Sequence, residues 1–435
     1  MFRKAAAVAF LFAFSGCTLY NEVTVTPLLL TPASLERGSD LQSMLRKADY
    51  LRAIEAGRNM DAKQRRNAAD LQSLGKAYLA AGRLDDARSH LRAALDLEPF
   101  RIMYAEIAWN LSEVEVLSNN FDLALEWAQI AFDRGLQIRR WHIDYLTALS
   151  NVPVYRFSGE NSQRLQFRFG RPDVPRIETR LNRTVDVEGV VDSGAVLSII
   201  SERLAAKLPV KRLGEFEGTF YGLLGEPIRV HFGLLESVEL GGIIIENVPV
   251  AIMPDDKMRF LISKAEGTQF HMDFLLGTNL LKEFRLELDF DRRSVTFTRL
   301  SVADRRPADD QNLFYQGFRP HVRGAVNRKG WFLFVLDTGS EITFLNETQL
   351  AALPVQVFGT SHTATLQGLG GAMKRGAKVE NVEVGLDRWA GTFKTIPMYA
   401  SEDKDGAVGI IGQNFLENFN VIIDFGRMRV DLKRR

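Results

Sequence analysis

Two acidic residues stand directly behind apolar runs and share a setting: GVVDSGAVLSII (189–200) and FVLDTGSEITF (334–344). Each stretch reads apolar, Asp, Ser or Thr, Gly, then apolar again. Asp and Gly are ordinary where a strand ends, and about 0.2 copies of Asp-Ser/Thr-Gly are expected by chance in a chain this long. Two copies in the same hydrophobic frame ask for one explanation of Asp192 and Asp337. Carboxylates held close together cannot both ionise cheaply, so a paired arrangement would share a proton and offer a base and an acid at once. Other hydrolytic chemistries lack their parts. There is no HExxH, Cys17 is the only cysteine, and the six His residues are scattered without ligand spacing. The expectation is no metal and no cofactor.

The elements around these acids repeat as well. Asp192 precedes the glycine hairpin signal Tyr221-Gly222-Leu223-Leu224-Gly225, and Asp337 precedes Gln367-Gly368-Leu369-Gly370 at nearly the same distance. Further on, FLLGTNLLKEFRLELDFDRRSV (274–295) mirrors GIIGQNFLENFNVIIDFGRMRV (409–430). Counted from Gly277 and Gly412, the pairs Asn279/Asn414, Leu281/Leu416, Phe284/Phe419, Asp289/Asp424, Phe290/Phe425, Arg292/Arg427 and Val295/Val430 fall at identical offsets. From Trp141 onward the texture is short alternating or apolar runs rich in Val, Ile and Phe, bounded by Gly, Pro and Asp, which predicts strands. ADRRPADDQN (303–312) divides this region into lobes at 160–302 and 313–435. DDKMRFLISKAEGTQFHMD (255–273) reads as a longer surface connection in the first half.

With these features in view, residues 160–435 resemble the aspartic peptidases, in particular the retroviral-type lobe: apolar-apolar-Asp-Ser/Thr-Gly, a glycine-tipped flap, then apolar-apolar-Gly. Retroviral enzymes pair two copies of such a lobe, whereas pepsin-like enzymes carry both in one chain, as here. The resemblance implies that Asp192 and Asp337 meet between the lobes as the catalytic pair, activating a water for peptide-bond hydrolysis. It implies that Ser193 and Thr338 bond across the lobes, that Gly194 and Gly339 permit close approach, and that Gly277 and Gly412 let a strand pack beneath each loop. Tyr221 and Gly222 resemble a flap over the substrate, with Gln367 and Gly368 in the equivalent place; the alternative is a plain hairpin with a half-buried aromatic. Ser340 is a candidate donor to the Asp337 carboxylate, whereas Ala195 holds the matching place after Asp192. On that ground Asp337 is expected to keep more of the shared negative charge.

The N-terminal part is of another kind. MFRKAAAVAFLFAFSGC joins Arg3 and Lys4 to an apolar stretch too short to span a bilayer as a helix, which fits a secretory signal over 1–16. Phe14-Ser15-Gly16-Cys17 resembles the bacterial lipobox, with Phe14 where Leu is more usual. That implies lipidation at Cys17 and, with Thr18 next, an outer-membrane address facing the periplasm. A retained anchor with an idle cysteine is the alternative. Residues 17–44, with Pro27 and Pro32, read as a tether. A helical domain follows at 45–150. LGKAYLAAGRLDDARSHLRAALDLEP (74–99) resembles a tetratricopeptide repeat through Leu74, Gly75, Tyr78, Ala87, Leu91, Ala94 and Pro99. Ala53 and Ala124 place further repeats on either side.

Length and composition agree with this plan. The chain has 435 residues, 46% hydrophobic and 25% charged, which suits two or three globular domains. A net charge of +1 provides no basic field for nucleic acid. The fold class expected is an all-α repeat domain followed by an all-β two-lobed peptidase domain. The function expected is an aspartic endopeptidase acting on extended protein segments, with a peptide or protein substrate, a protein partner at the repeats, and membrane contact through the lipid only. The rival reading is a peptide-binding or scaffold lipoprotein without catalysis.

Overall fold

A computed structural model of the chain describes residues 14–15, 23–28, 40–60, 67–97, 101–168, 170, 172–222, 225–263, 268–355, 364–367, 373–400 and 406–435. The chain divides into two compact units, one helical (34–154, with 1–5 and 314–318) and one built of strands (6–33, 155–313 and 319–435).

The helical unit contains, among the described residues, α1 (Leu41–Arg46), α2 (Tyr50–Arg58), α3 (Ala68–Ala80), α4 (Leu84–Leu97), α5 (Arg101–Leu117), α6 (Phe121–Asp133) and α7 (Arg140–Leu149). Short connections at 81–83 and 118–120 make hairpins of α3 with α4 and α5 with α6. Asn67 starts α3, its side chain accepting from the amides of Ala69 and Asp70. Leu74, Tyr78, Ala87, Leu91 and Ala94 are all buried, and a Cβ on Gly75 would lie 2.6 Å from Leu91 Cγ, so the two helices meet where the side chain is smallest. Between hairpins a charge pair does the joining. Arg88 of α4 donates through Nε to Glu115 Oε1 of α5 at 2.7 Å, and Asn120 donates to Glu115 Oε2 at 2.9 Å.

The strand unit is two copies of one plan. In the first lobe Val185–Val191 pairs in parallel with Phe274–Leu276, which pairs antiparallel with Ser198–Ser201, which pairs in parallel with Ile243–Met253. In the second lobe Lys329–Leu336, Gly409–Ile411, Phe344–Asn346 and Trp389–Tyr399 repeat the order and every direction. The strands that run into the acids are buried on both faces there (Val190, Val191, Phe334, Val335, Leu336), so they read as continuous apolar runs.

The lobes are joined by strands in the order Arg429–Arg434, Phe419–Asp424, Phe284–Asp289, Ser294–Arg299 and Ser162–Arg168, the last of which continues the sheet into the first lobe by pairing with Arg176–Leu181. Where the lobes meet, Leu286 faces Ile423, Glu287 faces Ile422 and Leu288 faces Val421. Glu287 and Ile422 are each ten residues beyond their glycines (277 to 287, 412 to 422). The two repeats therefore pair with themselves about a local two-fold axis, which is how identical lobes would associate.

Three expectations change. The span 17–44 is not wholly a tether, because Thr24–Pro27 is an edge strand of the second lobe, paired with Trp389–Thr392. The first lobe begins before 160, since Arg156–Gly159 pairs with Ile243–Glu246. The long connection at 255–273 contains a hairpin, Arg259–Ser263 with Thr268–His271, because its alternating residues pair with each other. Gly16 and Cys17 of the lipobox lie outside the described residues, as does all of 1–16 except Phe14–Ser15.

Glu115 is fully buried and its partner partly so, and removing one member of such a pair leaves an uncompensated charge. Glu115→Ala is expected to destabilise the helical unit by about 3 kcal/mol, read as a lower denaturant midpoint by circular dichroism.

Candidate active site

The two Asp-Ser/Thr-Gly turns face each other between the lobes and are locked by reciprocal hydrogen bonds. Ser193 Oγ donates to the carbonyl of Leu336 at 2.7 Å and accepts from the amide of Thr338 at 3.1 Å. Thr338 Oγ1 donates to the carbonyl of Val191 at 2.7 Å and accepts from the amide of Ser193 at 3.0 Å. Each hydroxyl thus ties its own turn to the opposite strand. The glycines allow the approach: a Cβ on Gly194 would stand 2.5 Å from Asp337 Cγ, and one on Gly339 2.5 Å from Asp192 Cγ. Any larger residue at either place would collide with the other lobe's carboxylate.

Asp192 and Asp337 are fully buried. The amide of Gly194 donates to Asp192 Oδ1 at 2.7 Å, and that of Gly339 to Asp337 Oδ1 at 2.9 Å. The other oxygens, Asp192 Oδ2 and Asp337 Oδ2, receive no donor among the described residues.

Beneath the turns, a Cβ on Gly277 would meet the Leu197 carbonyl carbon at 2.5 Å and one on Gly412 the Ile342 oxygen at 2.5 Å. The residues that follow these glycines hold the turns from below, and the sequence reading assigned them no role. Thr278 Oγ1 donates to the Ser193 carbonyl at 2.9 Å and Gln413 Nε2 to the Thr338 carbonyl at 2.6 Å. Asn279 Oδ1 accepts from the amide of Ser198 and Asn414 Oδ1 from that of Thr343, both at 2.7 Å. The signal was present in the identical offsets of Asn279 and Asn414.

The flap candidates form two equivalent hairpins. Gly218–Tyr221 pairs with Pro227–Val230, Tyr221 opposite Pro227; Ala364–Gln367 pairs with Met373–Gly376, Gln367 opposite Met373. Tyr221 is half-buried at the strand end, and the Gly222 amide closes the turn by donating to the Glu226 carbonyl. Gly368 lies outside the described residues. Phe14–Ser15 runs antiparallel to Leu366–Gln367 on the second hairpin.

Residues 177–280 match the family described as aspartyl protease. The matched span holds Asp192 and Gly277 and ends before Asp337. Among solved structures, an aspartic proteinase from Irpex lacteus is similar at 12% identity, covering 63% of this chain and 97% of its own, with a TM-score of 0.36. A retropepsin-like aspartic protease from Rickettsia conorii is similar at 20% identity, covering 33% of this chain and 96% of its own, with a TM-score of 0.22. No curated protein matches the chain.

Within this facing pair the two carboxyls are unequal. Burial is the chief cause that raises both; Asp192 is pushed well above the carboxylate range, further raised by the charge of Asp337, while Asp337 is pushed up to about 7. The two carboxyls therefore titrate as a pair, with one proton held between them. The hydrogen bond from Asp192, the Gly339 amide and the positive charge of Arg319 all favour the ionised form of Asp337. Ser340 is not the reason, because its hydroxyl donates to the Ile342 carbonyl at 2.9 Å; only its backbone amide favours the charge.

Arg319 was not foreseen. Carrying the register His321 opposite Val335 on by two residues sets the buried Arg319 beside Asp337, and the same count from Arg176 opposite Val190 sets the buried Val174 beside Asp192. Among the described residues no three His, Cys, Asp or Glu side chains cluster as metal ligands.

A carboxyl whose folded pKa is raised binds more protons folded than unfolded, so stability is highest below the unfolded pKa and falls as pH rises toward the folded one. The window runs from 3.8 to about 7 for Asp337 and further for Asp192. Asp192→Asn removes that penalty and is expected to stabilise the protein at neutral pH by roughly 2 kcal/mol, with less gain at pH 4, as read by thermal denaturation across pH.

Proposed function

We propose that this chain is an aspartic endopeptidase. The observation that carries the reading is a fully buried pair of carboxyls, both raised by burial, gripped between two lobes by Ser193 and Thr338. The ionised Asp337 takes a proton from a water lying between the outer oxygens, and Asp192 gives its proton to the oxygen of the scissile carbonyl. Water attacks the carbonyl carbon, and the proton held on Asp337 passes to the leaving amine as the C–N bond breaks. As the C–N bond breaks, one hydroxyl of the tetrahedral intermediate returns its proton to Asp192 and becomes the new carbonyl, so both carboxyls end the cycle in their starting states.

The substrate is an extended protein segment, taken up as an added strand with side chains alternating between pockets. The flap hairpins offer the edges for this, and the antiparallel pairing of Phe14–Ser15 on Leu366–Gln367 supports strand addition there. Tyr221 is the side chain assigned to lie over the substrate. The helical hairpins, read as tetratricopeptide repeats, recruit the substrate or a partner protein. A lipid on Cys17 holds the enzyme at the bacterial outer membrane, facing the periplasm.

Incubating residues 18–435 with a peptide library from acidic to neutral pH tests the activity. Cleavage is expected, with a loss of at least ~10³-fold in Asp192→Asn and in Asp337→Asn; cleavage that survives both substitutions would sink the mechanism. In an active preparation, Arg319→Met is expected to move the acidic limb of kcat/KM to higher pH, because losing the cation makes Asp337 harder to ionise. Ser340→Ala is expected to leave that limb in place.

A further inference from the structure

The edge of the second lobe is closed by a strand from the other end of the chain. Thr24 lies beside Thr392, Val25 beside Gly391, Thr26 beside Ala390 and Pro27 beside Trp389, and the amide of Leu28 donates to the Arg388 carbonyl at 2.8 Å. In the first lobe Arg156–Gly159 fills the same place, Gly159 beside Ile243 through Arg156 beside Glu246. Ile243 and Trp389 are separated by the interval that separates Tyr221 from Gln367 in the two hairpins (243 to 389, 221 to 367), so the two edge strands occupy equivalent registers. One lobe draws this strand from the residues just before it; the other draws it from residues that precede helices α1 to α7.

The receiving surface is shaped for this particular segment. A Cβ on Gly391 would lie 2.8 Å from Val23 Cγ1, and one on Gly385 2.7 Å from Leu28 Cδ1. At the matching places of the first lobe stand Ile245 and Glu239. The side chains at both ends of the added strand thus rest on backbone that the second lobe leaves bare and the first does not. Pro27, which lacks an amide donor, is tolerated because the strand lies at a sheet edge.

From this edge the ladder leads inward to Asp337. Trp389–Tyr399 pairs with Leu345–Asn346, which pairs with Gly409–Ile411, which pairs with Val335–Leu336. We propose that the Trp389–Thr392 edge, with Gly385 and Gly391, is a binding site for one extended peptide, the chain's own residues 23–28, and that this bound strand is required for the native state of the Asp337 lobe. The site is separate from the facing carboxyls, and the proposal holds whether or not the chain cleaves peptides.

Hydrogen exchange read by mass spectrometry tests it. The reference is a chain beginning at residue 18, which keeps the strand; its residues 23–28 are expected to exchange as slowly as Trp389–Thr392. Exchange of 23–28 at the rate of a free peptide would overturn the proposal without any variant. A chain beginning at residue 29 is expected to show at least ~10-fold faster exchange over Trp389–Thr392 and a melting temperature lower by roughly 5 °C. A synthetic peptide spanning residues 21–30 is expected to restore both saturably, and the same peptide with Val23→Asp and Leu28→Asp is not. Unchanged exchange in the shortened chain, or equal rescue by the substituted peptide, would also overturn it. Should the shortened chain not fold, Val23→Asp with Leu28→Asp in the chain from residue 18 gives the same exchange readout.

Discussion

Two hydroxyls hold two carboxyls together against their own desolvation. Burying Asp192 and Asp337 side by side is unfavourable in itself, since each is raised far above its ordinary pKa chiefly by the loss of water. The turns stay in place because Ser193 and Thr338 each give a proton to the opposite strand and take one from the opposite turn. Four such bonds, each worth about 1 kcal/mol net and more costly to leave unmade, link the strands of one lobe to the turn of the other. Thr278 and Gln413 brace the same turns from below. Everything distinctive about the lobes follows from the need to present one rigid turn each at the same point.

Symmetry supplies that presentation, and departures from symmetry supply direction. The sheet centred on Glu287 and Ile422 lets two near-identical hairpins pair with each other, so the lobes meet as copies would. A perfectly symmetric pair of acids would have no reason to assign the proton to one side. The buried Arg319 beside Asp337, against Val174 beside Asp192, breaks the tie with a full charge at a place where water does not screen it.

Much of this was legible in the sequence where information is local. The acid motifs and the late glycines are short, sit behind apolar runs and recur at matching offsets, so both lobes and the paired turns could be expected. The helical hairpins were legible for the same reason, with Ala87, Leu91 and Ala94 at helical spacing. What escaped depends on register between segments. Arg319 is unremarkable as a residue eighteen before Asp337, and acquires meaning only because strand pairing brings it alongside. Ser340 was misread because a hydroxyl three residues from a carboxylate has other acceptors within reach, and the Ile342 carbonyl takes it. The span 17–44 looked like a tether because four strand residues among prolines carry no sign of a partner.

That last feature has a consequence for how the molecule is made. Thr24 leaves the ribosome 368 residues ahead of Thr392 (24 to 392), the neighbour beside which it ends. At roughly 5–20 residues per second the delay is on the order of 20 to 70 s. Throughout that wait a Val-Thr-Val-Thr stretch stands exposed with open backbone groups, the condition under which strands pair with the wrong chain. Closing so long a loop is slow by its nature. The edge of the Asp337 lobe can therefore close only after Trp389–Thr392 has been made, although the strand that closes it is among the first segments synthesised.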